Sequence, residues 1–440
     1  MLRKVLIANR GEIALRVART LREMGIAVVA VYSDPDRNSP HLELADEVYA
    51  LPGDTAAQTY LRFDRILEVA RASGADAVHP GYGFLSENPN FAEACAEHGL
   101  VFIGPKAAVI RALGDKVQAK QAMQRAQVPT VPGWMPPDGA GPADFRKAAG
   151  ELGYPIVVKA AAGGGGKGMR RVEDEADLDE AAAAASREAM AAFGDPRVFL
   201  EKYFARPRHV EFQIFGDRHG QVVHLCEREC SIQRRYQKIV EETPSPALTP
   251  GLREQMGEAA CRAARTLGYT NAGTVEFLVD QEGRFYFLEV NARLQVEHPI
   301  TEALLGVDLV RAQVLVAAGE KLPFEELTPR GHALEVRLYA EDPARNFMPS
   351  TGNLDVFHVP AWPRTRLDTG VRQGSQVSSH YDPMLAKLIC WGADRPESLA
   401  RMRAWLREVA VLGVTTNLEF LQDLLLHPEF VAGQTHTHFL

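Results

Sequence analysis

Short apolar runs alternate with longer stretches of mixed polarity over about the first 110 residues of the chain. The apolar runs are rich in β-branched residues, as buried strands are: KVLIAN, AVVAVYSD, ADAVHP and LVFIGP. The stretches between them, such as GEIALRVARTLREMG and YLRFDRILEVARASG, have the length of helices. This alternation predicts a parallel, doubly wound sheet whose strands are connected by crossover helices.

Two loops of this first part bear on ligand binding. The turn after the first run is ANRGEIA, which lacks the G-x-G-x-x-G spacing of a dinucleotide site, so a nicotinamide cofactor is not expected. The segment HPGYGFLSEN, residues 79–88, follows a predicted strand at its carboxyl end, where such sheets bind ligands. It is either a ligand loop or a turn shaped only by its proline and glycines.

A glycine-rich segment marks the second part, which follows the proline-rich stretch at residues 128–142. AGGGGKGMR lies between two predicted strands, YPIVVKA and RVFLEKYF, and lacks the Ser or Thr of a P-loop. Gly163, Gly164, Gly165 and Gly166 allow several backbone N–H groups to point at an anion, and Lys159 adds a positive charge. The alternative is a flexible surface hairpin without a ligand.

Two apolar strands in the third part carry acidic residues. TVEFLVD and RFYFLEVN are separated by a short turn at Glu282 and Gly283, which predicts an antiparallel hairpin with Glu276 nearly opposite Glu289. Facing carboxylates repel each other, so they need a compensating charge. Together with the amide oxygen of Asn291 they form an oxygen set suited to Mg²⁺ that carries substrate phosphates.

The polar alternation continues beyond this hairpin, at every second residue of EVNARLQVEH. If the strand continues, Arg293, Gln295 and Glu297 share the face of Glu289 and Asn291. We therefore predict a site along this face. The alternative is a solvated edge strand with mixed charges.

Composition limits the remaining possibilities. A chain of 440 residues with 46% hydrophobic and 24% charged residues is typical of a soluble protein with two or three domains. Its start resembles neither a signal peptide nor a membrane span, so we expect a cytoplasmic protein. The net charge of −8 argues against nucleic-acid binding. Five cysteines without a second close pair favour neither a disulfide framework nor a zinc site.

Several blocks of the sequence, in order, resemble the biotin carboxylase family of the ATP-grasp superfamily. The blocks extend along the chain: IANRGEIALR, HPGYGFLSEN, FIGP, LGDK, KAAAGGGGKGM, RHVEFQIFGD, ERECSIQRRYQK and EVNARLQVEHPITE. The resemblance implies an α/β and α+β fold. The implied fold has three parts: an N-terminal preATP-grasp domain at 1–113, a central region at 114–203 that includes a mobile lid at about 131–203, and a C-terminal mixed domain at 204–440.

The resemblance also implies the reaction. Bicarbonate attacks ATP to give carboxyphosphate, with Mg²⁺ or Mn²⁺ as cofactor, and the carboxyl group passes to N1 of biotin on a carrier protein. The implied ATP-binding residues are Lys116, Lys159, Gly163, Gly164, Gly165, Gly166, Met169, Glu201, Lys202, His209, Gln233 and Leu278. The implied metal ligands are Glu276, Glu289 and Asn291.

The same resemblance assigns roles at the acceptor end. Glu297 is implied as the general base, and a neighbouring Arg293 is expected to keep it ionised. Arg337 is implied to stabilise the enolate-like oxygen of biotin. The residues implied to bind bicarbonate or biotin are Arg293, Gln295, Val296, Lys238, Tyr82, Gly83 and Arg337, and the catalytic ones are Glu297, Arg293, Arg337 and Lys238.

The implied partners are a biotin carboxyl carrier protein, carboxyltransferase subunits and a second copy of the chain. Dimer contacts are implied for the first helix, at Arg16, Arg19 and Glu23. We expect the stand-alone subunit of an acetyl-CoA carboxylase in fatty acid synthesis, although a pyruvate, propionyl-CoA or related carboxylase subunit would have a similar sequence. The alternatives are an amide-forming ATP-grasp ligase and a non-catalytic nucleotide-binding regulator.

Overall fold

The first part of the chain folds into the predicted parallel sheet. The computed structural model describes residues 2–137, 139–162, 168–235, 237–324 and 327–440. The elements of the first part are β1 (Lys4–Ile7), α1 (Gly11–Glu23), β2 (Ala27–Tyr32), β3 (Glu47–Ala50), α2 (Phe63–Ser73), β4 (Ala77–His79), α3 (Pro89–Glu97) and β5 (Val101–Phe102). The strand order is β3-β2-β1-β4-β5, with every pair parallel.

Helix α1 connects this sheet to the rest of the molecule. Its apolar positions Ile13, Val17 and Leu21 recur at helical spacing and are buried. They belong to a core cluster that also contains Phe215 and Ala272 from the third part of the chain. The first and third parts therefore share one hydrophobic core.

A second, smaller sheet contains the glycine-rich segment. Two helices precede it, α4 (Ala107–Leu113) and α5 (Lys116–Arg125). Its elements are β6 (Gly133–Trp134), α6 (Pro142–Leu152), β7 (Ile156–Ala160), β8 (Met169–Val172), α7 (Leu178–Phe193) and β9 (Val198–Lys202), with strand order β6-β9-β7-β8. The core of this unit includes Ile156, Val158 and Leu200. The predicted limits of the three domains stay predictions.

An eight-stranded antiparallel sheet dominates the remainder. The elements here are β10 (Arg208–Gly216), β11 (Val222–Arg234), β12 (Gln237–Thr243), α8 (Pro250–Thr266), β13 (Asn271–Val279), β14 (Phe285–Asn291), α9 (His298–Leu305), α10 (Leu309–Ala317), β15 (His332–Tyr339), β16 (Glu341–Asp342), β17 (Met348–Pro349), β18 (Gly352–Asn353), β19 (Val356–His358), β20 (Thr365–Thr369), β21 (Gln376–Val377), β22 (Met384–Gly392), α11 (Arg395–Leu406), β23 (Ala410–Leu412), α12 (Leu418–Leu426) and α13 (Pro428–Val431). The sheet order is β14-β13-β10-β11-β12-β15-β22-β20.

The predicted hairpin is present, but the predicted strand is too long. Strands β13 and β14 pair with Glu276 opposite Glu289, and a register shift follows Glu276. Strand β14 ends at Asn291, and residues 292–297 form bends and turns before α9 begins at His298. The expectation of a continuous strand to Glu297 is therefore wrong. The chain turns away from the sheet edge because α9 packs across the sheet instead.

Charged side chains form two directly paired sets on this sheet, and directly paired residues of neighbouring strands point to the same face. We call the two sets together the charged row: Glu289, Glu276, Glu211 and Arg228 on β14, β13, β10 and β11, and Arg337, Lys387 and Asp368 on β15, β22 and β20. All of them except Glu289 are buried. Buried charges are stable only when they are paired, so the row is a set of mutually dependent groups.

None of the helices in the described part of the chain is long and apolar enough to span a membrane.

The contribution of a buried ion pair to the stability of the first part can be tested at Asp36. Its buried carboxylate accepts hydrogen bonds from Arg10 Nε at 2.6 Å and from the Tyr60 hydroxyl at 2.6 Å. Replacing Asp36 with Asn leaves the half-buried Arg10 without its charge partner and should lower the free energy of unfolding by about 3 kcal/mol in urea denaturation. Asp64→Asn, which breaks an exposed pair with Arg62, is the matched control and should have a much smaller effect.

The pH dependence of unfolding shows whether the charge of Asp36 is the source of this stabilisation. Burial opposes the charge of Asp36, but Arg10 and Tyr60 lower the pKa of its carboxyl below the usual value. A lowered pKa stabilises the fold above the unfolded pKa of about 3.9, and this stabilisation is lost as the pH falls through the folded value. The loss of unfolding free energy caused by Asp36→Asn should therefore be equal at pH 7 and pH 5. A loss that is smaller at pH 5 than at pH 7 would contradict a lowered pKa for Asp36.

Candidate active site

One large cleft contains the predicted site. It has a volume of about 1820 Å³ and is bordered by the N-terminal loops, the small sheet and the charged face of the large sheet. The predicted site residues that line it are Tyr82, Gly83, Lys116, Lys159, Met169, Glu201, Lys202, His209, Gln233, Lys238, Glu276, Leu278, Glu289, Asn291, Arg293, Gln295, Val296, Glu297 and Arg337. The predicted loop Gly163 to Gly166 lies outside the described residues.

Lys238 is at the centre of the cleft wall. Its Nζ lies 2.5 Å from Glu211, 2.6 Å from Glu297 and 3.1 Å from Glu276. Burial alone would lower the pKa of Lys238, but the three carboxylates raise it well above its ordinary value. Lys238 therefore carries a permanent positive charge at neutral pH.

Glu297 is buried and lies between two cations. It receives hydrogen bonds from Lys238 at 2.6 Å and from Arg337 at 2.9 Å. Burial opposes its charge, yet Lys238, Arg337 and Arg228 hold the pKa of its carboxyl well below the usual range. The cations bonded directly to Glu297 are thus Lys238 and Arg337, whereas Arg293, which was expected to keep it ionised, interacts with Glu297 only through its charge.

Arg293 contacts the carboxylate of Glu87, which was not predicted as a site residue. Its Nε donates to Glu87 at 2.8 Å, and the other Glu87 oxygen accepts the backbone N–H of Ala292 at 2.8 Å. Glu87 belongs to the 79–88 loop, so this loop supports the turn at 292–297. Only the general expectation that the loop contacts ligands could have indicated Glu87.

Packing holds the 79–88 loop in place. Gly81 has a φ of +63°, and an added Cβ would lie 2.8 Å from the Asn9 side chain. The Asn9 amide donates to the carbonyls of Pro80 at 2.7 Å and Tyr82 at 2.8 Å. Glycine is therefore required at residue 81 for both its conformation and its size.

The predicted metal ligands lie together at the edge of the large sheet. Glu276 and Glu289 are direct cross-strand neighbours, and the Asn291 amide nitrogen donates to Glu276 at 2.8 Å. Glu276 is also close to His209, at 3.1 Å, and to Lys238. Two adjacent carboxylates fit a divalent cation, with Glu289 the more accessible of the two. The amide oxygen of Asn291 faces Arg293 at 3.1 Å, so Asn291 orients the carboxylate in this arrangement.

Glu201 connects the small sheet to the cleft. Its carboxylate lies 2.6 Å from Lys120 and 2.6 Å from Lys159. Burial opposes its charge, but the two lysines lower the pKa of its carboxyl. The ammonium of Lys202 donates to the Gly153 carbonyl at 2.7 Å, so it is bonded within the small sheet. Lys159 and Glu201 thereby lie at the end of the cleft formed by β7 and β9.

Arg337 lies at the other end and is buried, so it is not the surface ion pair that a lone strand arginine would suggest. Its Nε donates to Glu241 at 2.7 Å. Burial, partly offset by Arg337, raises the pKa of Glu241 to about 7. Tyr82 and Gly83 line the same cleft.

Glu211 is the second acidic residue that the sequence prediction missed. It is fully buried and receives hydrogen bonds from Arg228 at 2.6 Å and from Lys238 at 2.5 Å. The alternation of His209, Glu211 and Gln213 along an otherwise apolar strand was the available signal. Glu211 pairs directly with Glu276 in the sheet and so extends the acidic set by one strand.

Arg16, expected at a dimer contact, is instead buried within the chain. Its guanidinium donates to Glu302 at 2.8 Å and to Asp308 at 2.8 Å. Of the three residues expected at that contact, Arg19 and Glu23 on the same helix are exposed.

Together, a small sheet and a large antiparallel sheet that enclose a cleft lined by lysines and paired carboxylates define an ATP-grasp protein. Three family models match the chain: "Biotin carboxylase, N-terminal domain" at residues 1–110, "Carbamoyl-phosphate synthase L chain, ATP binding domain" at 115–325, and "Biotin carboxylase C-terminal domain" at 335–440. The chain belongs to the biotin carboxylase family, whose members are ATP-dependent carboxylases.

Relatives agree with this assignment. "Biotin carboxylase" of Nostoc sp. is 48% identical, and the match covers 99% of this chain and 98% of that protein. The mitochondrial methylcrotonoyl-CoA carboxylase subunit alpha of Mus musculus is 51% identical, and the match covers 99% of this chain but 61% of the relative's length. The chain therefore spans less than two thirds of that curated relative.

A solved structure from Hydrogenobacter thermophilus has a TM-score of 0.96 and 44% identity, and the match covers 100% of this chain and 97% of that chain. It is the biotin carboxylase domain dimer of 2-oxoglutarate carboxylase in complex with MgADP, ADP and bicarbonate. A biotin carboxylase from Campylobacter jejuni also has a TM-score of 0.96, at 43% identity, and covers 100% of this chain and 98% of its own. The overall fold is therefore that of solved biotin carboxylases.

The pairing of Glu201 with two lysines can be tested through stability. Glu201→Gln leaves the buried Lys120 and the half-buried Lys159 without their shared carboxylate and should lower the free energy of unfolding by about 3 kcal/mol. The measurement is urea denaturation. Glu173→Gln, which breaks an exposed pair with Arg171 near the end of β8, is the control and should change stability much less. Equal losses in both variants would show that the buried arrangement is not formed.

Proposed function

We propose that the protein catalyses the ATP-dependent carboxylation of biotin on a biotin carboxyl carrier protein, with bicarbonate as the carbon source. The observation that supports this most directly is the position of Glu297, a buried carboxylate in contact with both Lys238 and Arg337. A base between two cations suits a substrate that becomes more negative as it loses its proton. Family membership and the bicarbonate bound in a solved relative support the same assignment.

Phosphoryl transfer takes place at the end of the cleft near the small sheet. ATP binds there, with Lys116, Lys159, His209 and Gln233 around its phosphates. Glu276 and Glu289 hold Mg²⁺, which supplies charge neutralisation at the phosphates when it is bound. Met169 and Leu278 provide apolar contacts to the nucleotide, and Glu201 and Lys202 lie at the edge of the adenine. Orientation and electrostatics are the main contributions that a protein makes to this step.

Deprotonation of bicarbonate takes place beside Glu297. Arg293, Gln295, the Val296 backbone and Lys238 bind the anion, and the positive charges of Arg293 and Lys238 also favour loss of its proton. The low pKa of Glu297 ensures that this base is ionised at neutral pH, although it also makes the base weak. The oxygen of bicarbonate then forms a bond to the γ-phosphorus of ATP, ADP leaves, and carboxyphosphate results.

Carboxyl transfer takes place on the Arg337 side. Tyr82 and Gly83 bind the ureido ring of biotin, and Arg337 stabilises its oxygen as N1 loses a proton. N1 forms a bond to the carboxyl carbon as the bond from that carbon to the phosphate oxygen breaks, and the inorganic phosphate that leaves takes up the proton from N1. Burial opposes the charge of Arg337, but Glu241 and Glu297 raise the pKa of its guanidinium. Arg337 is therefore charged when the oxyanion develops.

The final acceptor and the partners belong to the same proposal. We assign the chain to acetyl-CoA carboxylation in fatty acid synthesis, in the cytoplasm, with a carrier protein, carboxyltransferase subunits and a second copy of the chain. The Nostoc relative supports a separate biotin carboxylase chain. The mouse relative supports methylcrotonoyl-CoA as acceptor at similar identity. Reconstitution with each carrier and carboxyltransferase pair distinguishes the two acceptors.

The proposed base is tested by Glu297→Gln. We expect ATP hydrolysis that depends on bicarbonate and is stimulated by free biotin in the unmodified protein. The variant should be slower by about 10² to 10⁴-fold, because a general base contributes that much. Phosphate release with and without bicarbonate and biotin is the measurement, and Glu320→Gln, an exposed substitution, is the control. Turnover in the unmodified protein that ignores both bicarbonate and biotin would favour an amide-forming ATP-grasp ligase.

The proposed metal site is tested by Glu289→Gln. Loss of one carboxylate should weaken Mn²⁺ binding in the presence of ADP by at least about tenfold, since even outer partners of metal ligands have effects of that size. Electron paramagnetic resonance of free Mn²⁺ gives the affinity. Glu282→Gln, in the turn of the same hairpin, should leave the affinity unchanged. Unchanged affinity in Glu289→Gln would remove this residue from the metal site.

A further inference from the structure

Lys387 is a fully buried residue of the charged row to which the proposed mechanism assigns no role. It lies in β22, directly between Arg337 of β15 and Asp368 of β20. Its ammonium donates to the backbone carbonyl of Val296 at 2.8 Å. This carbonyl immediately precedes the proposed base, Glu297.

The same ammonium connects three separate segments of the chain. It lies 3.1 Å from Glu12, in the first turn of α1, and 3.9 Å from Asp368. It also lies 5.9 Å from the ring centre of Tyr82, in the 79–88 loop. Lys387 is thus positioned where the N-terminal part, the large sheet and the turn at 292–297 meet.

The turn at 292–297 has few backbone interactions of its own. It belongs to no strand or helix, and the hydrogen bonds at its end are long, 3.3 Å from His298 N to Gln295 O and 3.4 Å from Ile300 N to Glu297 O. Side chains support it instead, with Glu87 at the Ala292 N–H and Lys387 at the Val296 carbonyl. The orientation of the peptide unit between Val296 and Glu297 therefore depends on Lys387.

The burial of a lysine at this place is energetically demanding. A buried ammonium is stable only when partners compensate for its lost hydration, and here they are the Glu12 carboxylate and the Val296 carbonyl. A neutral donor could satisfy one carbonyl without that cost. The charge gives the strongest hydrogen bond available to a backbone carbonyl.

We propose that Lys387 is a positioning residue, which holds the Val296 carbonyl so that the Glu297 carboxylate faces Lys238 and Arg337. The proposal rests on the proposed function, because it assigns to Lys387 the alignment of the general base of that reaction. The alternative is that Lys387 only connects α1 to the large sheet, through its contact with Glu12.

Two variants separate these possibilities. Lys387→Met keeps the length of the side chain and removes both contacts, whereas Glu12→Gln removes the charge pair and leaves the bond to Val296. For Lys387→Met we expect kcat to fall by about 10 to 100-fold, because small displacements of reacting groups have effects of that size. The affinity for MgADP, which binds at the other end of the cleft, should stay within about twofold. Glu12→Gln should lower kcat less than about threefold.

A second measurement does not depend on activity. Hydrogen exchange followed by mass spectrometry should show faster exchange for peptides that cover residues 292–300 in Lys387→Met, with unchanged exchange in β13. If Lys387→Met does not fold, the double variant with Glu12→Gln removes the unpaired carboxylate as well and takes its place. An inactive unmodified protein would reject the proposed function, and hydrogen exchange would still decide the role of Lys387.

The outcomes are distinct. Slower turnover and faster exchange at 292–300, with MgADP affinity retained and Glu12→Gln mildly affected, support the positioning role. Unchanged exchange at 292–300 in Lys387→Met overturns it. An equal loss of activity in Glu12→Gln and Lys387→Met also overturns it, in favour of the tie between α1 and the sheet.

Discussion

The cost of burying charge is the constraint on which this structure depends. Lys238 contacts three carboxylates, and each of these has at least one further polar partner. No member of this set is stable alone, because an unpaired ion inside a protein loses its hydration without compensation. The set is therefore formed as a whole, and its geometry is imposed by the sheet that carries it.

The antiparallel sheet meets this constraint through its register. Direct pairing across β14, β13 and β10 places Glu289, Glu276 and Glu211 side by side, where they would repel each other without cations. The next strands supply Arg228 and Lys238. Elements from the N-terminal part then close the site through Glu87 and Glu12. Distant segments of the chain are thus held together by interactions that also shape the cleft.

Local patterns in the sequence were sufficient for the elements of the parallel sheet, for two strands of the small sheet and for one cross-strand pair of the large sheet. The short turn at Glu282 and Gly283 set the register, so the opposition of Glu276 and Glu289 could be predicted. The same alternation wrongly predicted that the strand continues beyond Asn291. The point at which the chain leaves the sheet depends on how α9 packs, and the alternation contains no information about that. Glu87 was missed for a related reason, since its partner Arg293 is more than 200 residues away. Contacts of this kind have no local signal, and only the family resemblance indicated the cleft as a whole.

The large sheet has a consequence for how the chain is synthesised. Strand β12 pairs with β15, and β22 and β20 complete the sheet beyond it, so the C-terminal quarter of the sequence forms part of a sheet that begins at residue 208. While the ribosome is still producing that last quarter, β12 has an open edge, and such edges promote aggregation. The open edge of β12 is therefore covered only when β15 has been synthesised, and a fragment that ends before β15 would keep this edge exposed.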